Sequence, residues 1–419
     1  MLVVEGGRTL NGRIGTSGSK NAALPALAAC LLTAEQVRLA NVPELADTRL
    51  MIEILRSLGV RVEPEGDVLA VQTASATSAV PPELGRRMRA SIVLLGALLA
   101  RVGEVTLPTP GGDSIGARRV GEHLRGLRSM GATIEQTPDS IVARAPRGLH
   151  GAEVVLDLPT VTGTENLVLA AATARGRTEI CNAAREPHVQ DLAELLRAMG
   201  ADIQGAGTER IVINGVPELG GCDHRVISDY LEAGTYALGV AAAGGDVALE
   251  FDRVEDLAHP LRKLVQMGVD VEAGDGLIRV RRDPASPLRG EDLVTWVHPG
   301  FPSDLQAQYL TLTTQAVGPS LIQEWLYENR FQHVPELVRM GADIQVRERS
   351  ALVRGPSRLR GTSVRVTDIR SGAALLIAAL CAEGTSRLQD AWHLGRGYED
   401  VMGKLARLGA RLQLRASDH

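Results

Sequence analysis

Charged and hydrogen-bonding side chains collect at the expected starts of strongly apolar helices: Ser19-Lys20-Asn21, Arg89, Thr160–Thr164, Asp229, Ser303-Asp304 and Arg370-Ser371. A helix start offers unpaired N–H groups and the positive end of the dipole, which suits an anion. Ser, Thr, Asn and Asp at such positions also have a simpler role as N-caps, and for Asp304 that role is the main alternative. Capping does not account for Lys20, Arg89 and Arg370, because the dipole disfavours cations at this end. A second set falls in polar loops: Asp47, Pro110-Gly111-Gly112-Asp113, Arg118, Arg185-Glu186, Asn329-Arg330 and Arg396-Gly397-Tyr398. Arg clusters of this kind can hold anionic ligands, since a guanidinium grips phosphate or carboxylate bidentately. Gly111-Gly112 predicts a flexible loop able to close over a ligand, with a plain turn as the alternative. Neither a Walker A motif nor GxGxxG occurs in a meaningful context.

The elements that must position these residues repeat. A Leu/Met-Gly signature follows six amphipathic segments, at Gly59, Gly131, Gly200, Gly268, Gly341 and Gly409, with a period of roughly 70 residues. Each unit opens with a helix apolar nearly all round, hence buried: Ala22–Leu32, Ile92–Ala100, Leu167–Ala174, Ala233–Ala243, Leu305–Ala316 and Ala373–Ala382. Gly103, Gly176, Gly244, Gly318 and Gly384 are expected to cap them, with an alternating strand such as Thr178–Cys181 to follow. A polar loop, an amphipathic helix such as Val189–Met199 and two short strands (201–204 and 210–213) complete the unit. Buried helices inside and sheets outside is the implied arrangement. All eleven aromatic residues lie at or beyond Tyr230, so the two halves are expected to have distinct cores of three repeats each, with a boundary near residue 228.

Bulk properties narrow the function classes. The 419 residues suggest two or three domains. A net charge of −5 supplies no basic field for nucleic acid. Cys30, Cys181, Cys222 and Cys381 lack CxxC spacing and are expected to be reduced thiols, without metal or disulfide. The first residues lack a basic n-region and a long apolar run, and the longest apolar stretch, Ala373–Ala382, is well short of the roughly 20 residues of a membrane span. A cytoplasmic protein without membrane contact is expected. Its only lysines are Lys20, Lys263 and Lys404.

Seven motifs in order resemble those of the UDP-N-acetylglucosamine 1-carboxyvinyltransferases, within the EPSP synthase-like superfamily. They are Gly18-Ser19-Lys20-Asn21-Ala22-Ala23-Leu24-Pro25, Met88-Arg89-Ala90-Ser91, the run Pro110–Arg118, Asn182-Ala183-Ala184-Arg185-Glu186-Pro187, Phe301–Gln308, Glu328-Asn329-Arg330-Phe331 and Arg396-Gly397-Tyr398-Glu399. The resemblance implies a two-domain inside-out α/β barrel built from six repeats, three per domain. The expected domains are 20–227, and 1–19 with 228–419, because in that family the N-terminus returns to the second domain. It implies transfer of the enolpyruvyl group of phosphoenolpyruvate to the 3-hydroxyl of UDP-N-acetylglucosamine, the first committed step toward peptidoglycan, with no cofactor or metal.

By the same resemblance, Lys20, Arg118 and Arg396 hold the phosphate, Arg89 and Arg370 complete the cationic surface, and Asp47 and Arg330 join the substrate-binding set. Asp304 is the candidate base, and Asn21 and Asp304 anchor the sugar. Thr160, Val161 and Thr162, Arg118, Arg119 and Val120, and Leu326 with Tyr327 match positions lining the uridine diphosphate. Asp113 stands where many members carry a reactive Cys, so the expected general acid is a carboxyl whose pKa bound anions would raise and neighbouring Arg would lower. Without that thiol, resistance to fosfomycin is expected. Val93 replaces a Trp of some members, Arg119 a common Pro and Gly121 a common Asp. The alternatives are a shikimate 3-phosphate acceptor, whose GNAGTAMRP-type stretch is missing here, and a non-catalytic sugar-nucleotide-binding paralogue. An RNA-terminal phosphate cyclase shares related repeats, but none of these motifs supports its chemistry. Because motifs from both halves serve one anionic ligand, closure around the ligands is also expected.

Overall fold

The helix Lys20–Ala29 buries every residue except Asn21, as a segment apolar on all sides must. In the computed structural model, which describes residues 1–415, five further helices are mostly buried, the first of them from Leu94 through Leu99 only. They are Leu94–Val102, Val161–Ala171, Tyr230–Ala243, Gln306–Thr313 and Ile369–Cys381. Between them come amphipathic helices such as Ala46–Ser57 and Pro187–Ala198, which bury one face.

All six signature glycines have positive φ, between 93° and 107°. Each sits one residue past the C-cap and closes the same pair of bonds. Gly59 N donates to Arg56 O and Val60 N to Leu55 O, both at 3.0 Å, and the other five copies repeat the pattern. This is the Schellman arrangement, which satisfies two orphan carbonyls and requires a left-handed residue that glycine adopts without steric cost.

Four of the six small sheets follow one order. A short strand pairs parallel to the strand after the buried helix, and an antiparallel hairpin extends the sheet. Glu153–Val155, Arg177–Cys181, Arg210–Asn214 and Asp202–Gln204 form one example. A fifth sheet, Glu104–Pro108 with Ser140–Arg144 and Thr133–Gln136, has in place of the parallel strand only an isolated bridge from Ala79 to Thr106. In the sheet of Ser363–Arg365 and Thr385–Gln389, the N-terminal strand Leu2–Glu5 enters between Thr385–Gln389 and Arg411–Leu414. Leu10–Gly15 likewise pairs parallel to Gly245–Glu250.

The chain divides into two units. The N-terminal unit comprises Gly18–Asp113 and Arg119–Ile227; the C-terminal unit comprises Met1–Ser17, Ser114–Arg118 and Ser228–His419. The first has an aliphatic core of Leu, Val, Ile, Ala, Met and Cys, whereas the second places Phe251, Phe301 and Tyr309 at its centre. Among the described residues no helix is long and apolar enough to cross a membrane.

Three local expectations need correction. The helix expected over Leu305–Ala316 ends at Thr313, and Ala316 already begins a strand. Thr311, Thr313 and Thr314 turn their hydroxyls back onto carbonyls of the preceding turn, a local competition that weakens helix continuation. Gly103 and Gly244 are C-caps, but Gly176, Gly318 and Gly384 are not: Ala172, Thr314 and Ala382 cap those helices. There the positive φ turns the chain into, or within, the following strand. Finally, the Ile369–Cys381 helix is capped by Asp368, whose Oδ1 accepts from Arg370 N and Ser371 N.

Candidate active site

In the C-terminal unit, Asp304 lies in the 3-10 turn Ser303–Leu305 that leads into the helix Gln306–Thr313. It is not a cap. Its Oδ1 accepts from Arg330 Nη2, and its Oδ2 accepts from Arg370 Nη2 at 2.9 Å. Both guanidiniums are buried, while the Asp304 side chain keeps 28% of its surface exposed. Arg370 Nη1 donates to Tyr398 Oη at 3.0 Å, and Gln308 Nε2 donates to the same Oη at 3.2 Å and to Asp304 O at 3.0 Å. Burial opposes the charge on Arg370, but Tyr398, Asp304 and Asp229 together hold its pKa above the ordinary arginine range.

Glu324, which the sequence did not mark, organises the other side of the cluster. It is fully buried; its Oε2 accepts from Ser303 Oγ at 2.8 Å and its Oε1 from Leu326 N and Tyr327 N at 2.8 and 3.0 Å. Ser303 Oγ also accepts from Arg330 Nε, and the Arg330 guanidinium lies 5.2 Å from the Tyr327 ring centre. One carboxylate therefore sets both the Arg330–Asp304 contact and the backbone of Leu326-Tyr327. Arg396 is half-buried at the end of the 3-10 turn Ala391–Arg396, two residues before Tyr398.

The segment Ser114–Arg118 belongs to the same unit. Ala117 N donates to Glu328 Oε1 at 2.9 Å, Asn329 N to Ile115 O at 3.0 Å, and Asn329 Nδ2 to Ser114 O at 2.9 Å. Arg118 has φ +38°, a left-handed conformation that costs a non-glycine residue of order 1 kcal/mol and is commonest at functional sites.

In the N-terminal unit, Lys20 is the first residue of its helix and almost wholly buried, with Nζ 3.3 Å from Asp47 Oδ2. Asp47 lies in the first turn of Ala46–Ser57, where the dipole favours a carboxylate. Asn21 is half-buried beside Lys20, and Arg89 opens the 3-10 turn Arg89–Val93. Gly111 and Gly112 are fixed by close packing: a Cβ on Gly111 would lie 1.9 Å from Arg86 O, and one on Gly112 2.8 Å from Arg89 Cβ. The glycines before Asp113 are therefore demanded by contact with the Arg86–Arg89 stretch. Asp113 is half-buried between those glycines and Ser114.

Thr160 caps the helix Val161–Ala171, accepting from Gly163 N. Val161 and Thr162 are its first helical residues, and Arg119 and Val120 precede the helix Gly121–Ser129. The structure thus gathers Lys20 with Asp47, and Asp304 with Arg330, Arg370 and Tyr398. Asp113 and Asp304 fall in different units. Among the described residues no group of three or more His, Cys, Asp or Glu side chains is arranged to hold a metal.

A family model described as EPSP synthase (3-phosphoshikimate 1-carboxyvinyltransferase) matches residues 4–405. The chain belongs to this carboxyvinyltransferase family. It is 49% identical, over 97% of its length and 96% of the relative's, to a UDP-N-acetylglucosamine 1-carboxyvinyltransferase of Sorangium cellulosum (strain So ce56). The crystal structure of the enolpyruvyl transferase NikO from Streptomyces tendae is similar at a TM-score of 0.89 and 29% identity, covering 98% of each chain. An EPSP synthase from Acinetobacter baumannii, 19% identical with a TM-score of 0.75 over 99% of this chain and 100% of that one, shares the mixed α/β fold.

Proposed function

We propose that this carboxyvinyltransferase moves the enolpyruvyl group of phosphoenolpyruvate onto the 3-hydroxyl of UDP-N-acetylglucosamine and releases phosphate. The 49% identity to a relative of that name, across nearly the whole of both chains, carries the choice of acceptor. The geometry that best supports the chemistry is a partly exposed carboxylate, Asp304, held between two buried guanidiniums.

In the first step the sugar oxygen bonds to C2 of phosphoenolpyruvate. Asp304 takes the hydroxyl proton, and Asp113 delivers a proton to the C3 methylene, giving a tetrahedral ketal phosphate. In the second step the C2–O bond to phosphate breaks and phosphate leaves, taking up the proton held by Asp304, while the Asp113 carboxylate takes a proton back from C3 and the double bond is restored. Lys20, Arg118 and Arg396 hold the phosphate, and Arg89 and Arg370 balance the remaining negative charge of the trianion. Asn21 and Asp304 anchor the sugar. Thr160–Thr162, Arg118–Val120 and Leu326-Tyr327 line the uridine diphosphate, Asp47 orients Lys20, and Arg330 orients Asp304.

To the same reading belong the two-domain inside-out barrel of six repeats, with domains 20–227 and 1–19 plus 228–419, a cytoplasmic setting and a role at the entry to peptidoglycan synthesis. No metal or cofactor enters the reaction. Phosphate release from phosphoenolpyruvate is the test, with UDP-N-acetylglucosamine, with shikimate 3-phosphate and with neither. Release with the sugar nucleotide alone is expected; release with shikimate 3-phosphate, or no release at all, would overturn the reading.

A further inference from the structure

His123 lies in the helix Gly121–Ser129, is 1% exposed, and has no part in the mechanism above. Its two ring nitrogens face different partners: Nδ1 is 2.8 Å from Asn166 Nδ2, and Nε2 is 3.2 Å from Thr162 Oγ1. The orientation of the Asn166 amide is fixed independently. Its Oδ1 accepts from Gly96 N at 2.7 Å, and its Nδ2 donates to Ile92 O at 2.8 Å. The group facing His123 is therefore an N–H donor, and Nδ1 must accept. A neutral imidazole has one donor and one acceptor, so the proton resides on Nε2 and points at the Thr162 hydroxyl. Burial, and then the nearby Arg89 charge, push the ring pKa down to about 3, which keeps this tautomer neutral across physiological pH.

Thr162 Oγ1 makes no other hydrogen bond among the described residues, unlike Thr164 Oγ1, which donates to Thr160 O at 2.8 Å. A hydroxyl that accepts from His123 keeps its own proton to donate. Two backbone amides of this first turn are already taken, Gly163 N by Thr160 Oγ1 and Thr164 N by Thr160 O. The hydroxyl at position 162 thus supplements the donors available at this helix start.

We propose that His123 is a positioning residue: its Nε2–H holds the Thr162 oxygen as an acceptor, so that the Thr162 hydroxyl proton is presented to the diphosphate of the sugar nucleotide. The inference rests on the reading that Thr160–Thr162 lines that ligand. A protonated imidazole would donate from both nitrogens and collide with the Asn166 amide, so the device works only with the neutral Nε2–H ring.

Calorimetric titration with UDP-N-acetylglucosamine, without phosphoenolpyruvate, tests it in a double-mutant cycle. Thr162→Val should weaken binding about tenfold or more, as for loss of one hydrogen bond to a charged group. His123→Leu should lose a similar factor, and the double variant should be no worse than Thr162→Val alone. In turnover, KM for the sugar nucleotide should rise in both single variants, while kcat and KM for phosphoenolpyruvate stay near wild type. His123→Gln, which can still donate from Nε2, should recover part of the loss. Losses that multiply in the double variant would overturn the proposal while leaving the acceptor reading intact; a wild-type chain that binds no sugar nucleotide would overturn both. Nitrogen-15 NMR of the unmodified protein is a check that needs no variant to fold. It should show His123 protonated on Nε2 and not titrating from pH 5 to 8, and an Nδ1–H ring would overturn the proposal.

Discussion

Replacing Asp304 by Ala should cost the C-terminal unit stability as well as activity, and by separable amounts. The carboxylate bridges Arg330 and Arg370, whose side chains are each 6% exposed. Breaking a fully buried pair from one side costs about 3–5 kcal/mol, because the remaining charge is left uncompensated. Here Asp304 is 28% exposed, Arg370 keeps its bond to Tyr398 and Arg330 keeps Ser303. The expected loss is therefore about 2 kcal/mol, and Asp304→Asn, which retains one acceptor oxygen, should lose about 1 kcal/mol. As general base, however, the carboxylate should be worth on the order of 10²–10⁴ in rate, and both variants should lose it. Urea unfolding followed by intrinsic fluorescence is the assay, since every Tyr and Trp lies at or beyond Tyr230 and the signal reports the C-terminal unit alone. An Asp304→Ala protein as stable as wild type would refute the ion cluster. An Asp304→Asn protein within tenfold of wild-type turnover would refute its role as base.

Other consequences are open to direct measurement. Lys404 Nζ donates to Glu232 Oε1 and to Ser17 Oγ, both at 2.5 Å, in a site where both charged side chains are buried. Lys404→Met should cost about 3–5 kcal/mol in denaturant unfolding, and adding Glu232→Gln should recover most of it. Glu165 is fully buried, and burial, with the Glu186 charge adding to it, raises its pKa well above the ordinary 4.5. The folded chain then binds more protons than the unfolded one, so this residue's contribution to stability falls as pH rises above 4.5. Glu165→Gln should flatten that decline, so its stability relative to wild type should be higher at pH 8 than at pH 5; an unchanged difference would contradict the assignment. The four cysteines are free and none is at position 113, so fosfomycin should cause no rapid time-dependent inactivation, whereas Asp113→Cys should create it. Asp113→Asn retaining near-full turnover would remove Asp113 as the general acid.

Much of the framework could be read from residue order because it rests on local rules. The Leu/Met-Gly signatures give six identical helix endings, since a left-handed residue after an amphipathic helix is a local requirement that glycine meets. The all-apolar helices were legible for the same reason, although Leu305–Ala316 overran its true end, where successive threonines bond back to the backbone. Entry of Leu2–Glu5 into a sheet with Thr385–Gln389 was not legible from pattern, because pairing across almost the whole chain leaves no local mark. In the candidate site, cations at helix starts flagged Lys20, Arg89 and Arg370, but residue type alone left Asp304 open to a capping role, whereas the N-cap positions fall at Pro302 and Leu305 and Asp304 pairs with two arginines. Glu324, His123 and Asn166 escaped notice because their importance lies in partners distant in sequence. Asn166 follows Thr162, Thr164 and Glu165 in the polar first half of its helix, so residue type did not single it out.

The most direct test of the central claim is proton NMR of the reaction product from phosphoenolpyruvate and UDP-N-acetylglucosamine. The account predicts two vinyl methylene signals on a product that retains the uridine diphosphate sugar, appearing in step with inorganic phosphate and absent without the chain. Intact sugar nucleotide after prolonged incubation, or vinyl signals formed only when shikimate 3-phosphate replaces it, would contradict the account.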